Sequence, residues 1–266
     1  MHLGLEARTC LITGASRGIG RAVAVRLAAA GARLVLCSRS ADRVEDAARE
    51  CRELGAEAIA VALDVTEPDA AERLLGAARE AFGGTDVLVN NAGSARWRPL
   101  EEVPDEDWQA AWELNVMAPM RLMRAALPAM RERGWGRVVN VSSTAGKRPS
   151  ANMPEYSVAK AAMLSLSRLF ADRYAGDGVL VNAVCPGPTT SPMWVAPGGL
   201  ADQSRELAGL ESREEALAVA GAKRPIGRLA DPGEIADVIV FLCSERASYV
   251  SGAAWSVDGG TVPVII

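Results

Sequence analysis

The stretch Arg8-Thr-Cys-Leu-Ile-Thr-Gly-Ala-Ser-Arg-Gly-Ile-Gly20 decides the fold. Its apolar start predicts a strand over Arg8–Ile12, and a helical pattern over Gly20–Ala30 follows the glycine-rich turn. The glycines at 14, 18 and 20 permit a tight turn, close approach of the backbone to a pyrophosphate, and close packing of helix on strand. The free N–H groups at the helix start would bind the phosphates.

Six more short apolar runs follow, separated by helical patterns such as Ala41–Leu54 and Ala70–Phe82. The runs are continuous rather than alternating, as expected for parallel strands buried on both faces. They predict strands over Leu34–Cys37, Ala58–Ala62, Val87–Val89, Val138–Val141, Val179–Val184 and Ala253–Val257. This order predicts an α/β fold with a Rossmann-like, doubly wound, seven-stranded parallel sheet. Because no linker or repeat divides the chain, we expect residues 1–266 to form a single domain.

One segment, residues 189–223, interrupts the alternation of strands and helices. It begins with a turn-rich stretch and continues with a helical pattern. Long insertions at the carboxyl edge of a parallel sheet often cover a substrate. We therefore expect a lid here, and a surface helix pair without such a role is the alternative.

The composition argues against several classes of function. A formal net charge of −4, with acids and bases interspersed, gives no reason to expect nucleic acid or an anionic membrane surface as a partner. The one histidine, His2, lies at the terminus, so a His-based triad or a His-ligated zinc site is not expected, and we predict no metal.

The cysteines and the N-terminus indicate where the protein resides. The cysteines are odd in number and lie mostly in apolar runs without a C-x-x-C pair, which predicts buried, reduced thiols. They are Cys10, Cys37, Cys51, Cys185 and Cys243. No secretory signal precedes the first strand, and no apolar run approaches the roughly 20 residues that span a bilayer. We expect a cytoplasmic protein.

The end of the second predicted strand indicates which dinucleotide is bound. A chain that binds NAD usually carries an acid there, which holds the ribose 2′-hydroxyl. Here the sequence is Leu36-Cys-Ser-Arg-Ser40, without an acid. Arg39 and Arg17 would instead pair with a 2′-phosphate. This pattern favours NADP(H) over NAD(H).

A phenol and an ammonium lie four residues apart in Tyr156-Ser-Val-Ala-Lys160. On a helix they share one face, where the cation would favour the phenolate and lower the tyrosine pKa for general acid/base work. The predicted strand Val138–Val141 ends in Ser142-Ser143, at the sheet edge where α/β sites form.

From Thr13 to Gly260 the chain resembles the classical branch of the short-chain dehydrogenase/reductase superfamily. The motifs that carry the resemblance are TGASRGIG at 13–20, Leu63-Asp64-Val65, Asn90-Asn91-Ala92-Gly93, Asn115, Ser143, the Tyr156/Lys160 pair, Pro186-Gly187 and Val257-Asp258-Gly259-Gly260. The resemblance implies an enzyme that acts on CH–OH groups and transfers a hydride between NADP(H) and a carbonyl or secondary alcohol carbon.

The resemblance also implies a role for each motif residue. Tyr156 would donate the proton and Ser143 would polarise the carbonyl oxygen; Ser143 is preferred over its neighbour Ser142 by its spacing. Lys160 would lower the tyrosine pKa and hold the nicotinamide ribose, and Asn115, inside a helix, would position a water. The cofactor-binding residues would be Gly14, Ser16, Arg17, Gly18, Ile19, Gly20, Ser38, Arg39, Asp64, Val65, Asn91, Ala92, Gly93, Tyr156, Lys160, Pro186, Gly187, Thr189 and Ser191. Thr189 and Ser191 depart from the family's usual aliphatic residue and threonine.

The substrate class stays open among 3-oxoacyl-carrier-protein reductases and sugar, steroid and polyol dehydrogenases. Carrier-protein reductases tend to have basic residues at two places that dock the acidic carrier protein. Arg131 and Arg133 lie near the first place, but Gly134 is closer to the strand and Asp177 lies near the second, which disfavours this assignment without excluding it. Apolar residues that would line a pocket are Trp97, Met153, Met193, Trp194 and Leu200, although each is also typical of a core. Three basic residues lie near the expected mouth of the site: Arg96, Arg98 and Lys147. They would attract an anionic substrate group, and the alternative is that they are solvated surface charges.

Two other functions remain open, an epimerase, dehydratase or isomerase of the same fold and a non-catalytic dinucleotide sensor. The intact Ser–Tyr–Lys–Asn set argues against the sensor. Apolar residues surround much of Met120–Met130 and Ala161–Leu169, which predicts helices with two buried faces. We therefore expect a homotetramer or homodimer that acts on a small carbonyl or alcohol substrate.

Overall fold

A computed structural model of the chain describes residues 2–263, and its seven strands form one parallel sheet. The strands are β1 (Thr9–Thr13), β2 (Arg33–Ser38), β3 (Ala58–Ala62), β4 (Val87–Asn90), β5 (Gly136–Val141), β6 (Val179–Pro186) and β7 (Ala254–Val257). Their order across the sheet is β3-β2-β1-β4-β5-β6-β7. The predicted strands and the doubly wound, single-domain fold are confirmed. The ends of the predicted domain, residue 1 and residues 264–266, lie outside the described residues.

Helices connect the strands and cover both faces of the sheet. They are α1 (Gly18–Ala29), α2 (Ala41–Glu53), α3 (Ala70–Phe82), α4 (Asp105–Trp112), α5 (Ala118–Glu132), α6 (Thr144–Lys147), α7 (Pro154–Tyr174), α8 (Pro192–Val195), α9 (Leu200–Ala208), α10 (Arg213–Ala222) and α11 (Pro232–Cys243). None of these helices combines the length and the apolar character that crossing a bilayer requires.

Two cores lie on opposite faces of the sheet because successive strand residues point in opposite directions. On β1, Cys10 and Ile12 belong to the core under α1, α2 and α11. The residue between them, Leu11, belongs to the core under α3 and α5. All five cysteines are free and buried, as predicted.

The strand order reverses between β1 and β4, so the chain leaves these neighbouring strands toward opposite sides. Such a reversal opens a crevice at the carboxyl edge of the sheet, where α/β proteins bind ligands. The hydroxyl of Thr13 closes the base of the crevice: its Oγ1 accepts hydrogen bonds from the backbone N–H groups of Asn91 and Ala92, both at 3.0 Å.

Residues 189–223 lie over this edge and form α8, α9 and α10. Trp194 of this segment meets Trp97, from the loop after β4, edge to face with ring centroids 6.5 Å apart. The Trp97 backbone N–H donates to Gln203 Oε1 at 2.8 Å. The segment is therefore joined to the body of the domain by an apolar cluster and a hydrogen bond.

Candidate active site

A cavity of about 1210 Å³ runs along the carboxyl edge of the sheet and collects most of the predicted site residues. Those that line it are Gly14, Ser16, Arg17, Gly18, Ile19, Ser38, Arg39, Asp64, Val65, Asn91, Ala92, Gly93, Ser143, Tyr156, Lys160, Pro186, Gly187, Thr189 and Ser191. Two predicted residues, Gly20 and Asn115, are absent from this lining and lie behind it. Residues from six loops thus meet in one space.

The glycine-rich turn brings the backbone close to the cavity. Gly14 has a φ of +65°, and a side chain there would come within 2.9 Å of Ala92 Cα. Gly20 lies behind the turn, where a Cβ would reach to 2.4 Å from the Gly14 carbonyl oxygen. Its predicted role in helix packing agrees with this position, whereas direct contact with a ligand does not. No side chain caps the start of α1, so its first N–H groups remain free for an anion.

The two arginines predicted to select the cofactor flank the outer end of the cavity. Arg17 and Arg39 are exposed, and the Arg39 guanidinium lies 3.9 Å from the Asp64 carboxylate. Partial burial opposes ionisation of Asp64, but two hydrogen bonds from Thr66 and the charge of Arg39 hold its pKa below the ordinary value. The uncapped helix and these exposed guanidinium groups fit a dinucleotide that carries an additional phosphate.

Asn91 joins the two loops at the strand reversal. Its side-chain Nδ2 donates to the carbonyl oxygens of Thr13 at 2.9 Å and Gly14 at 3.1 Å. The side chain is therefore occupied in holding the glycine turn against the end of β4, and its backbone lines the cavity wall. Asn91 thus links the ends of β1 and β4, the two neighbouring strands at the centre of the sheet.

The two adjacent serines after β5 have different environments. Ser142 is buried and donates from Oγ to the Lys160 carbonyl oxygen at 2.9 Å. Ser143 is partly exposed, caps the short helix α6 by accepting from the Ala145 N–H at 3.1 Å, and lies beside Tyr156. Because Ser142 is used in packing, the geometry favours Ser143 as the residue that meets a substrate.

Tyr156 and Lys160 lie one turn apart on α7, and both are buried. The Lys160 Nζ lies 5.6 Å from the Tyr156 ring centroid and donates to the Val141 carbonyl oxygen at 2.7 Å. Burial raises the pKa of Tyr156 to about 12, although the Ser143 hydroxyl acts in the opposite direction. Burial also lowers the pKa of Lys160 to about 7.

These shifts differ from the expectation that Lys160 lowers the tyrosine pKa. In this structure desolvation is the largest cause of both pKa shifts, and it penalises the charged forms of the phenol and of the amine. At neutral pH the phenol is protonated, which suits a proton donor, and the amine titrates near neutrality.

Asn115 lies in a π-helical turn, Glu113–Met117, between α4 and α5, rather than in a regular helix. Its Nδ2 donates to the Ala111 carbonyl oxygen at 2.9 Å, and its buried Oδ1 has no hydrogen-bond partner within residues 2–263. The space above Gly93 separates this oxygen from Lys160, because a Cβ on Gly93 would lie 3.4 Å from Asn115 Oδ1 and 3.6 Å from Lys160 Nζ. The Asn115 amide is thus placed to hold a polar group beside the lysine.

The two positions that depart from the family pattern lie at the start of the covering segment. Thr189 is buried, and its hydroxyl donates to the Gly187 carbonyl oxygen at 3.0 Å. The Ser191 N–H donates to the Thr189 carbonyl oxygen at 2.6 Å. The Ser191 side chain lines the cavity opposite Gly18. The Thr189 hydroxyl therefore stabilises its own turn.

The three basic residues near the cavity mouth differ in how they are used. Arg98 pairs with Asp107 at 2.5 Å, and Lys147 donates to the Ala254 carbonyl oxygen at 2.7 Å. Arg96 remains exposed on the cavity wall. Within residues 2–263, no group of three or more His, Cys, Asp or Glu side chains is arranged to hold a metal ion.

One wall residue was not predicted. Glu155, directly before Tyr156, is 8% exposed and lines the cavity, and its Oε2 has no hydrogen-bond partner among the described residues. From sequence alone, a carboxylate at the second position of a helix is explained by its favourable interaction with the positive end of the helix dipole. Its burial beside the site depends on the packing of the cavity walls.

Comparison with known proteins gives consistent matches over the whole chain. The family profile described as enoyl-(acyl carrier protein) reductase matches residues 14–262. The 3-oxoacyl-(acyl-carrier-protein) reductase FabG of Vibrio cholerae is 38% identical over 97% of this chain and 98% of its own. The cis-4-hydroxycyclohexanecarboxylate dehydrogenase of Sinomonas cyclohexanicum is 40% identical over 97% of each chain.

A solved structure shows the same architecture in detail. The L-sorbose reductase of Gluconobacter frateurii, in complex with NADPH and L-sorbose, superposes with a TM-score of 0.93 at 38% identity over 100% of both chains. On these matches and on the Ser143–Tyr156–Lys160 arrangement, the chain belongs to the short-chain dehydrogenase/reductase family.

Proposed function

We propose that this protein is an NADP(H)-dependent oxidoreductase that interconverts a carbonyl group and a secondary alcohol. The observation that carries the proposal is the single cavity, which is lined by the glycine-rich turn and two exposed arginines at one end and by Ser143, Tyr156 and Lys160 at the other. The relatives named as dehydrogenases and reductases, and the neighbour solved with NADPH, support the same assignment.

Bound NADPH would supply the hydride, and the residues of this chain would bind the cofactor, polarise the carbonyl group and supply the proton. The free N–H groups of α1 would hold the pyrophosphate, and Arg17 and Arg39 would pair with the 2′-phosphate. Asp64 and Val65 would contact the adenine, and the backbone of Gly93, Pro186 and Gly187 would close around the inner half of the cofactor.

At the reacting end, Tyr156 would donate its phenolic proton to the carbonyl oxygen as negative charge develops there. Ser143 would donate a hydrogen bond to the same oxygen and polarise it. The amine of Lys160 would hold the ribose hydroxyls, and Asn115 Oδ1 would hold a water on the path by which the phenolate is reprotonated. In alcohol oxidation the same groups would act in the reverse order.

We also propose that residues 189–223 cover the substrate. This segment meets the loop after β4 through Trp97, Trp194 and Gln203, directly above the catalytic side chains. A substrate carried by an acidic protein is disfavoured, because Arg131, near the expected docking position, already pairs with Asp177 at 3.0 Å. We therefore favour a free small molecule as substrate.

We further propose a cytoplasmic homotetramer or homodimer. The thiols are unpaired and buried, as in a reducing compartment. Val158 and Leu169 on α7 are 48% and 66% exposed, and β7 pairs with β6 on one side alone among the described strands. An exposed apolar helix face and an open strand edge are surfaces that a second copy would cover.

The experiment that tests the central proposal combines cofactor binding with turnover. Fluorescence titration should give tighter binding of NADPH than of NADH, and NADPH should be oxidised with at least one ketone of a chemically varied panel. Tyr156→Phe should bind NADPH within about threefold of the wild type and lose at least 100-fold in kcat, because the ring remains and the proton donor is removed.

The matched control is Tyr249→Phe, which removes the hydroxyl of a fully exposed tyrosine and should leave kcat unchanged. Failure to bind either dinucleotide, or turnover by Tyr156→Phe close to that of the wild type, would overturn the proposal. A product with unchanged redox state and no net cofactor oxidation would instead indicate an epimerase, dehydratase or isomerase.

A further inference from the structure

The substrate end of the cavity has one apolar wall, built where the covering segment meets the body of the domain. Its residues are Trp97, Met153, Met193, Trp194 and Leu200, which pack together as a separate cluster. The two tryptophan rings lie edge to face, at an interplanar angle of 82°. Aromatic rings offer a broad surface for the C–H groups of a ligand, whatever its polar substituents.

Two polar atoms in the walls of this region are buried without a hydrogen-bond partner in the described chain. One is Oε2 of Glu155, the residue beside the catalytic tyrosine, and the other is the indole Nε1 of Trp97. Both residues line the same cavity as Ser143 and Tyr156. An unpartnered buried polar atom is costly, on the order of 1–3 kcal/mol, and such atoms are uncommon in folded proteins.

The position of Glu155 explains how its carboxylate is tolerated there. It is the second residue of α7, and the positive end of the helix dipole stabilises a negative charge at this place. The helix start thus lessens the cost of the charge, while Oε2 keeps its capacity to accept a hydrogen bond. Among the described residues no side chain partners this buried oxygen, and Glu155 lies in the wall of the cavity.

The two atoms differ in hydrogen-bonding capacity, and this difference selects the ligand. An ionised carboxylate accepts and cannot donate, whereas an indole N–H donates and cannot accept. A hydroxyl group satisfies either of them, because it both donates and accepts. An ammonium group would leave Trp97 without an acceptor, and an alkyl ketone or β-ketoacyl thioester would leave Glu155 without a donor.

We infer that the substrate is a polyhydroxylated carbonyl compound or its polyol, with Glu155 and Trp97 binding hydroxyl groups next to the reacting carbon. This inference rests on the proposed function, since it concerns the substrate of the same reaction. The hydroxyls would satisfy the two buried polar atoms, and the C–H face of the carbon chain would lie against the tryptophan and methionine side chains.

The test compares hydroxylated and deoxygenated substrates in the direction of oxidation, which avoids the cyclic forms of free ketoses. The probes are D-sorbitol, D-mannitol, galactitol and xylitol on one side and 2-hexanol on the other, each with NADP⁺. NADPH formation gives kcat/KM for each. The best polyol should exceed 2-hexanol at least tenfold, because a site built to bind hydroxyls discriminates strongly against a substrate without them.

Two variants assign this selectivity to the proposed residues. Glu155→Leu should lower the polyol to 2-hexanol ratio of kcat/KM at least tenfold, and Trp97→Phe, which keeps an aromatic ring but removes the donor, should lower it about threefold or more. The control Glu101→Gln alters an exposed carboxylate that does not line the cavity, and it should leave the ratio unchanged.

The possible outcomes separate this inference from the proposed function. Turnover of 2-hexanol that equals or exceeds that of every polyol would overturn the substrate class and leave the oxidoreductase assignment standing. A ratio unaltered in Glu155→Leu, with both substrates slowed equally, would show a purely structural role and also overturn the inference. No oxidation of any polyol by protein that reduces a ketone of the panel with NADPH would overturn the substrate class alone, whereas protein that binds neither dinucleotide would overturn the proposed function itself.

Discussion

At the scale of single residues, burial decides the chemistry of the Tyr156–Lys160 pair. The same desolvation raises the pKa of the phenol to about 12 and lowers that of the amine to about 7. The amine keeps a hydrogen bond to the Val141 carbonyl oxygen, whether or not it is charged. At neutral pH the phenol is therefore protonated and holds a proton that it can donate to a carbonyl oxygen.

The lowered pKa of Lys160 makes stability depend on pH in the cofactor-free protein. Between pH of about 7 and about 10 the unfolded chain carries this proton and the folded chain does not, so stability rises with pH. Relative to Lys160→Met, the wild type should gain up to about 4 kcal/mol over this interval. Urea unfolding of both proteins at a series of pH values measures it. If the free energy of unfolding changed with pH in the same way in both proteins, the lowered pKa of Lys160 would be contradicted.

Arg39 should determine much of the preference for the phosphorylated cofactor. Its guanidinium lies 3.9 Å from the Asp64 carboxylate, but the side chain is 79% exposed at the cavity wall, so a 2′-phosphate would have access to it. Arg39→Ala should weaken NADPH binding about 10- to 100-fold, the equivalent of a charge-assisted hydrogen bond of roughly 1.5–3 kcal/mol, with little effect on NADH.

The control is Arg49→Ala, which removes an exposed arginine that pairs with Asp46 on α2. Parallel fluorescence titrations with both dinucleotides measure the effect. Equal weakening of NADPH and NADH binding by Arg39→Ala would contradict a role in recognising the 2′-phosphate.

At the scale of elements, the close approach of α6 to α7 positions Ser143 relative to Tyr156. The two helices meet at Gly146, where a Cβ would lie 2.8 Å from the Lys160 carbonyl carbon and oxygen and 2.9 Å from Ser142 Oγ. The Lys147 side chain anchors the other end of α6 by donating to the backbone of β7. Ser143, the proposed catalytic serine, therefore caps a short helix that has no room for an additional atom on the side facing α7.

Gly146→Ala should therefore separate α6 from α7 and move Ser143 away from the reacting oxygen. We expect a loss of at least tenfold in kcat and of about 1–3 kcal/mol in stability, as is usual for overpacking. NADPH affinity should change much less, because the glycine-rich turn is remote. The control Gly176→Ala adds a methyl group where no atom lies within 4 Å. An unchanged kcat in Gly146→Ala would show that the contact between α6 and α7 at Gly146 does not determine the position of Ser143.

At the scale of the whole molecule, the proposed self-association would use the exposed apolar side chains of α7 and the edge of β7 that no strand covers within residues 2–263. Leu169 is 66% exposed on α7, and Trp255 is 37% exposed on β7, where it packs on Phe241 with ring centroids 5.6 Å apart. Surfaces of this kind are more often covered than free in stable proteins. Tyr156, the proposed proton donor, lies on α7, so an interface on this helix would also support the site.

Leu169→Arg should weaken assembly, because it places a charge at the centre of the proposed contact. Light scattering at micromolar concentration should give a tetramer or dimer for the wild type and a smaller species for the variant. Leu54→Arg, at a leucine that is 51% exposed at the end of α2, serves as the control and should assemble as the wild type does. A monomeric wild type would contradict the prediction.

The sequence by itself determined the fold and most of the cofactor end of the site, because both depend on local patterns. Seven apolar runs with helical segments between them are sufficient to specify a doubly wound parallel sheet. The turn at Gly14–Gly20 and the Arg39 position follow directly from their places after β1 and β2. Tyr156 and Lys160 share a helix face through their spacing alone.

Tertiary packing decided the properties that depend on how distant segments enclose one another. The π-helical turn at Asn115, the buried carboxylate of Glu155 and the direction of the Tyr156 and Lys160 pKa shifts were not predicted. The burial of Glu155 and the two pKa shifts depend on desolvation, and the π-helical turn depends on the backbone geometry between two helices. Periodicity and motif spacing encode neither desolvation nor this geometry. Local sequence therefore determined which residues reach the cavity, and the enclosure of the cavity determined their electrostatic state.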